Sequence, residues 1–231
     1  MAEPVEAMKR RAAEASLRFV KTGMVLGLGT GSTARHVLEG VARMVAGGAD
    51  LKGVPTSLAT AEAARLLGIP LTSLEEHPRI DLAIDGADEV DPKLDLIKGL
   101  GGALFREKIV AAAAKRFVVV VDASKLVSRL GTTAPVPVEV HPFGWKTVAA
   151  RLESHGARVE LRRRDGESYR TDNGNHVLDA HFGPIRSPAK LAATLDAIPG
   201  VVGHGLFLDL ADVVLVGTAK GVRTLRATRK T

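Results

Sequence analysis

The chain has 231 residues and a net charge of +6, with 45% hydrophobic, 25% charged and 3% aromatic residues, which suits one large domain or two small ones with aliphatic cores. It contains no cysteine, which excludes disulfides and thiolate chemistry, and no window approaches the ~18 apolar residues of a membrane-spanning helix. Its basic clusters (Lys9-Arg10-Arg11, Arg162-Arg163-Arg164, Arg223–Lys230) are scattered and few rings can stack on bases, so a phosphorylated small molecule suits the charge better than nucleic acid or a membrane.

MAEPVEAMKRR lacks the apolar stretch of a signal peptide, and the expected location is the cytoplasm. Val5, Met8, Ala12, Ala15 and Phe19 recur at helical spacing, with Gly23 placed to end the helix. MVLGLG (24–29) reads as a buried strand, followed by a helix marked by Val37, Leu38, Val41 and Val45 and a third helix over 56–68. DLAID (81–85), LDLIK (94–98) and FVVVVD (117–122) read as strands buried on both faces, with a helix over 104–116 between the last two. Strands alternating with helices predict a doubly wound, mostly parallel α/β sheet of the Rossmann-like kind.

After Gly131 the order becomes PVPVEV strand, 141–156 helix, two alternating strands at 158–163 and 175–182, a helix over 188–198 and a strand over 200–207. That β-α-β-β-α-β order is the ferredoxin-like pattern. DVVLVG (212–217) reads as a buried parallel strand again. The expected organisation is an α/β domain of residues 1–131 and 206–231, with a small α+β domain of 132–205 inserted in it.

Four segments carry chemistry. GLGTGST (27–33) joins a strand to a helix, where free N–H groups and the helix dipole suit a phosphate. It lacks the lysine of a Walker A loop and the third glycine of a dinucleotide fingerprint, and a capped tight turn is its plain structural reading. DGADE (85–89) places Asp85 and Asp88 at the carboxyl end of a strand, where α/β sheets bind ligands. Two such carboxylates can hold a metal, orient sugar hydroxyls or divide acid and base duties, or they can simply cap turns. In LIKGLGGALFREKI (96–109) the glycines let backbone amides approach a ligand, Lys98 ends a strand, and Glu107 lies in the first turns of a helix. DASK (122–125) sets Lys125 beyond a strand end. The seven histidines show no ligand spacing.

Together, GLGTGST, DGADE, KGLGGALFREKI and DASK, with PVEV, TDNGN (171–175) and IPGVVGHGLF (198–207), resemble ribose-5-phosphate isomerase of the A type from the first helix nearly to the C-terminus. The resemblance implies an α/β fold with a small ferredoxin-like domain. It also implies interconversion of ribose 5-phosphate and ribulose 5-phosphate in the non-oxidative pentose phosphate pathway, with no metal or other cofactor. Transferred by position, it makes Thr30, Gly31, Ser32, Thr33 and Lys9 the phosphate-binding residues. Asp85, Gly86, Ala87 and Asp88 would hold the sugar, Asp85 assisting ring opening. Lys98 with the Gly99, Leu100 and Gly101 backbone would face the reacting oxygens, Glu107 would be the base, and Lys125 a further binding contact. Leu100, where many members carry glycine, and the proline of VPTS (54–57) are departures that remove no functional group. The family is usually oligomeric, which implies a homodimer or homotetramer.

Two rivals keep part of this pattern. A non-catalytic sugar-phosphate sensor would keep the phosphate loop without the chemistry, yet this chain retains Lys98 and Glu107 together and has no N-terminal helix-turn-helix. A coenzyme A transferase would use a glutamate nucleophile but needs a larger cofactor site, for which no feature is evident.

Overall fold

Short runs of Val, Ile and Leu, too brief for helices, form the strands of a six-stranded sheet in the computed structural model, which describes residues 5–227. From edge to edge the sheet runs Lys52–Pro55, Val25–Leu28, Leu82–Asp85, Phe117–Asp122, Val213–Thr218 and Gly221–Arg226; the first five are parallel and the last is antiparallel. All six residues of Phe117–Asp122 are buried, as expected where helices cover both faces of a parallel sheet. Helices Val5–Ser16 and Ser32–Ala46 pack Ala12, Ala13, Val37 and Val41 against Leu26, Val118 and Leu215. Among the described residues, this α/β unit comprises 5–87, Arg106–Lys125 and 210–227.

A second unit, Asp88–Phe105 with Leu126–Asp209, has its own core of Val136, Val138, Leu152, Leu178 and Leu195. Its four-stranded antiparallel sheet is ordered Val201–His204, Val136–Val140, His176–His181, Arg158–Leu161. Helices Trp145–Ser154 and Pro188–Asp196 complete the β-α-β-β-α-β unit, the latter opening on a proline whose missing N–H costs nothing there.

Three expectations change. LDLIK does not join the parallel sheet: Asp91 Oδ1 accepts the Lys93 and Asp95 amides, Leu94 sits at φ 67°, and the chain doubles back. Leu96–Ile97 therefore pairs antiparallel with both Glu89–Val90 and Leu206–Phe207. The single strand expected over 200–207 divides accordingly, Val201–His204 in the four-stranded sheet and Leu206–Phe207 beside Leu96–Ile97. Residues 88–105, 126–131 and 206–209 thus pack with the second unit, so the boundary differs from the one expected. Of the basic stretch Arg223–Lys230, the first four residues belong to the antiparallel edge strand, and 228–230 lie outside the described residues. No described helix is long and apolar enough to cross a membrane.

Candidate active site

The glycine-rich loop leaves strand Val25–Leu28 at Gly29, whose N–H donates to the Ile84 carbonyl at 3.0 Å. A Cβ here would collide with the Asp85 side chain and its Cα, so only glycine lets the loop lie on the end of strand Leu82–Asp85. Asp85, 3% exposed, fastens the two loops together: one oxygen accepts the Thr30 amide at 3.1 Å and the Gly86 amide at 2.7 Å. Gly31, at φ 108°, precedes the first turn of Ser32–Ala46. Ser32 is exposed, and Lys9 Nζ donates to its Oγ at 3.0 Å, so a cation and a hydroxyl meet at a helix N-terminus. Lys9 also lies 3.5 Å from Glu6, whose carboxyl is held below its usual range mainly by a 2.6 Å hydrogen bond with His36, with Lys9 adding to the effect.

Thr30 faces the other way. Its hydroxyl lies 2.8 Å from Thr56 Oγ1, 2.8 Å from Ser57 Oγ and 3.0 Å from Thr60 Oγ1. Thr56 donates to the Leu28 carbonyl and Thr60 to the Gly29 carbonyl, while Ser57 bonds Thr60 and caps helix Leu58–Leu66. Each hydroxyl has one proton to give, and here those protons are already used inside the cluster. The loop is thereby stitched to the neighbouring strand end on both sides, through Asp85 and through Thr56–Thr60.

On the second unit, Asp88 donates its N–H to the Ile97 carbonyl at 2.8 Å, and its Oδ2 accepts the Leu100 amide at 3.0 Å. Lys98 is 3% exposed, its Nζ 5.5 Å from the Phe207 ring centre, and its N–H donates to Gly205. Lys98 directly follows strand Leu96–Ile97, in keeping with its expected place at a strand end, but that strand lies outside the parallel sheet. Gly99, Leu100 and Gly101 form the turn beyond it, with Leu100 exposed.

Glu107, 5% exposed, occupies the first turn of helix Leu104–Ala113, and Lys125 ends the short turn Ala123–Lys125 after strand Phe117–Asp122. The first unit therefore carries Lys9, Thr30, Gly31, Ser32, Thr33, Asp85, Gly86, Ala87, Glu107 and Lys125. The second carries Asp88, Lys98, Gly99, Leu100 and Gly101. Among the described residues no group of three or more His, Cys, Asp or Glu side chains is arranged to hold a metal.

Sequence reasoning passed over three supports of these segments. Glu89, fully buried, accepts the Gly131 and Ala134 amides at 2.6 and 2.8 Å and both the N–H and hydroxyl of Thr133, fixing the chain as it enters strand Val136–Val140. Its place inside DGADE was the available signal. Ser57 and Thr60, spaced three apart at a helix start, carried a capping signature. Arg162 carried none, being one basic residue among three in a row.

A sequence profile of ribose 5-phosphate isomerase A (phosphoriboisomerase A) matches residues 52–221, well over half of the chain. The chain belongs to that family. It is 56% identical over 217 residues to the ribose-5-phosphate isomerase A of Gluconobacter oxydans (strain 621H), covering 93% of this chain and 94% of the relative. With the ribose-5-phosphate isomerase A of Synechococcus sp. (strain JA-3-3Ab) it shares 53% over 222 residues, 95% and 96% of the two chains. Its fold matches a solved D-ribose-5-phosphate isomerase in complex with phospho-erythronic acid at a TM-score of 0.94 and 44% identity, over 97% of this chain and all of that one. The span matched by the ribose 5-phosphate isomerase A profile takes in DGADE, the 96–109 segment, DASK and the whole second unit up to Asp209.

Proposed function

We propose that this chain interconverts ribose 5-phosphate and ribulose 5-phosphate by proton transfer through an enediolate. The observation that carries the reading is an anion-ready loop, Lys9 against Ser32 at a helix N-terminus, on the same unit as a buried glutamate in the first turn of a helix. Family membership and a relative that holds a phosphorylated sugar acid support it further.

In this reading Gly31, Ser32, Thr33 and Lys9 take the phosphate, and Lys125 adds a cation. Thr30 supports the loop from behind, since its N–H and hydroxyl are engaged with Asp85 and the hydroxyl cluster. Asp85, Gly86, Ala87 and Asp88 meet the sugar, Asp85 assisting ring opening. Glu107 removes the proton from C2 of the open aldose and returns it to C1, one carboxylate serving as base and then acid. In this reading the charge that collects on the two oxygens of the enediolate is met by the Lys98 ammonium and the Gly99 and Gly101 amides. The Leu100 amide stands outside that set because Asp88 uses it. The same reading takes the chain to be a cytoplasmic homodimer or homotetramer.

Incubation with ribose 5-phosphate, followed by a ketose assay, tests the activity. Glu107→Gln is expected to keep substrate binding and lower kcat by at least about 10³-fold, since the proton-transfer group itself is removed. Near-parental turnover in that variant removes Glu107 from the role of base, and a folded parent that binds ribose 5-phosphate without turnover supports the sensor instead.

A further inference from the structure

The turn that follows Lys98 is held from its carbonyl side. Arg162, just beyond strand Arg158–Leu161, donates through Nη1 to the carbonyls of Gly99 at 2.8 Å and Leu100 at 3.0 Å. The other edge of the same guanidinium grips Asp179, Nε donating to Oδ2 at 2.9 Å and Nη2 to Oδ1. Asp179 lies on strand His176–His181, which pairs with Arg158–Leu161. The two side chains are 12% and 17% exposed, so the pair is largely withdrawn from water. Tyr169, whose amide donates to the Arg162 carbonyl, places its ring beside Gly102, where a Cβ would strike the phenol.

A trans peptide is planar, and its C=O and N–H point in opposite directions. Fixing the carbonyls of Gly99 and Leu100 therefore fixes the amides of Leu100 and Gly101. The first is the one that bonds Asp88; the second is assigned above to the enediolate. A cation on the carbonyl side also polarises each peptide and strengthens its N–H as a donor. Lysine could not do this, because one ammonium cannot present a planar fork to a carboxylate and a further N–H to two carbonyls. Glycines at 99 and 101 make the turn easy to flip, and the Arg162 contacts oppose that flip.

We propose that Arg162, oriented by Asp179, is a positioning residue for isomerisation: it locks the 99–100 and 100–101 peptide planes, so that the Leu100 amide stays on Asp88 and the Gly101 amide is preset for an enediolate oxygen. This assigns strands Arg158–Leu161 and His176–His181 a part in turnover. It rests on the isomerase reading above.

Steady-state kinetics of the full-length chain with ribose 5-phosphate test it. Arg162→Ala is expected to lower kcat by about 10- to 100-fold, the range for a misplaced transition-state donor, with KM within about threefold. Millimolar guanidinium should recover part of the lost kcat, whereas Arg162→Lys should stay low. Asp179→Asn, which keeps the shape of its partner, should lower kcat by about three- to 30-fold at constant KM, and it decides the matter if Arg162→Ala fails to fold. An active parent whose Arg162→Ala or Asp179→Asn form keeps kcat within about twofold overturns the positioning role alone. A parent with no turnover overturns the isomerase reading itself.

Discussion

Thr30→Val is the substitution that best separates a loop that holds its ligand by side chains from one that is itself held. The change keeps the branched shape and removes one hydroxyl, which lies 2.8 to 3.0 Å from Thr56, Ser57 and Thr60. None of those three is left without a partner: Thr56 keeps the Leu28 carbonyl, Thr60 keeps the Gly29 carbonyl, and Ser57 keeps Thr60. The cost is therefore that of lost hydrogen bonds rather than of an orphaned buried group, about 1–2 kcal/mol. For a chain of this size that is a fall in Tm of about 2–8 °C, read by calorimetry. The KM for ribose 5-phosphate should rise by less than about fivefold, because Ser32, Lys9 and the loop amides are unaltered. A Thr30 hydroxyl that instead donated directly to a phosphate oxygen would be worth about 1.5–3 kcal/mol, or about 10- to 150-fold in KM. Unchanged Tm with a KM raised more than about 30-fold would therefore refute the supporting role.

Two further expectations concern the frame around the site. Glu89→Gln turns an NH₂ toward at least one of the amide donors at Gly131, Thr133 and Ala134, losing a charge-assisted hydrogen bond worth about 1.5–3 kcal/mol. Tm should fall by about 3–12 °C, and a fall of less than about 1 °C would show that Glu89 does not hold that segment. Asp81 has its carboxyl held below the ordinary 3.8 chiefly by the Lys115 ammonium, 2.8 Å away, and then by the Val25 amide. Its folded pKa is depressed, so its contribution to stability is present above the unfolded value and lost as pH falls through the folded one. The Tm difference between the parent and Asp81→Asn should be full at about pH 6 and close below about pH 4. A constant difference across that interval would show that the pair does not act through charge.

Much of the fold was legible because its signals are local. FVVVVD and DVVLVG are too short and too apolar to be anything but strands covered on both faces, and they are neighbours in the parallel sheet. The β-α-β-β-α-β order after Gly131 needed only the change from helical to alternating spacing. LDLIK misled because an apolar run shows that a segment is buried but not which sheet buries it. Leu96–Ile97 was diverted by a turn whose cause, Asp91 accepting two amides with Leu94 at positive φ, lies in side-chain geometry. The edge strand Gly221–Arg226 was hidden for a related reason: it is half exposed and charged, so it reads as the start of a basic cluster although its ladder with Val213–Thr218 is continuous.

The candidate site shows the same limit at atomic scale. A motif names groups that can bond a ligand, but not which of them already bond the protein. Ser32 and Thr30 are both hydroxyls in one loop, yet Ser32 is exposed beside Lys9 while Thr30 is turned into a cluster of three other hydroxyls. Gly99, Leu100 and Gly101 all carry amides, yet the Leu100 amide belongs to Asp88 and its carbonyl to Arg162. The glycines at 99 and 101 let a backbone come close to a ligand, and that same freedom would let the peptide planes turn away. A flexible turn can serve as a preset donor only if something rigid holds its other side. Arg162, gripped by Asp179 on the facing strand, meets that requirement, and its position more than 60 residues from the turn is why no motif contained it.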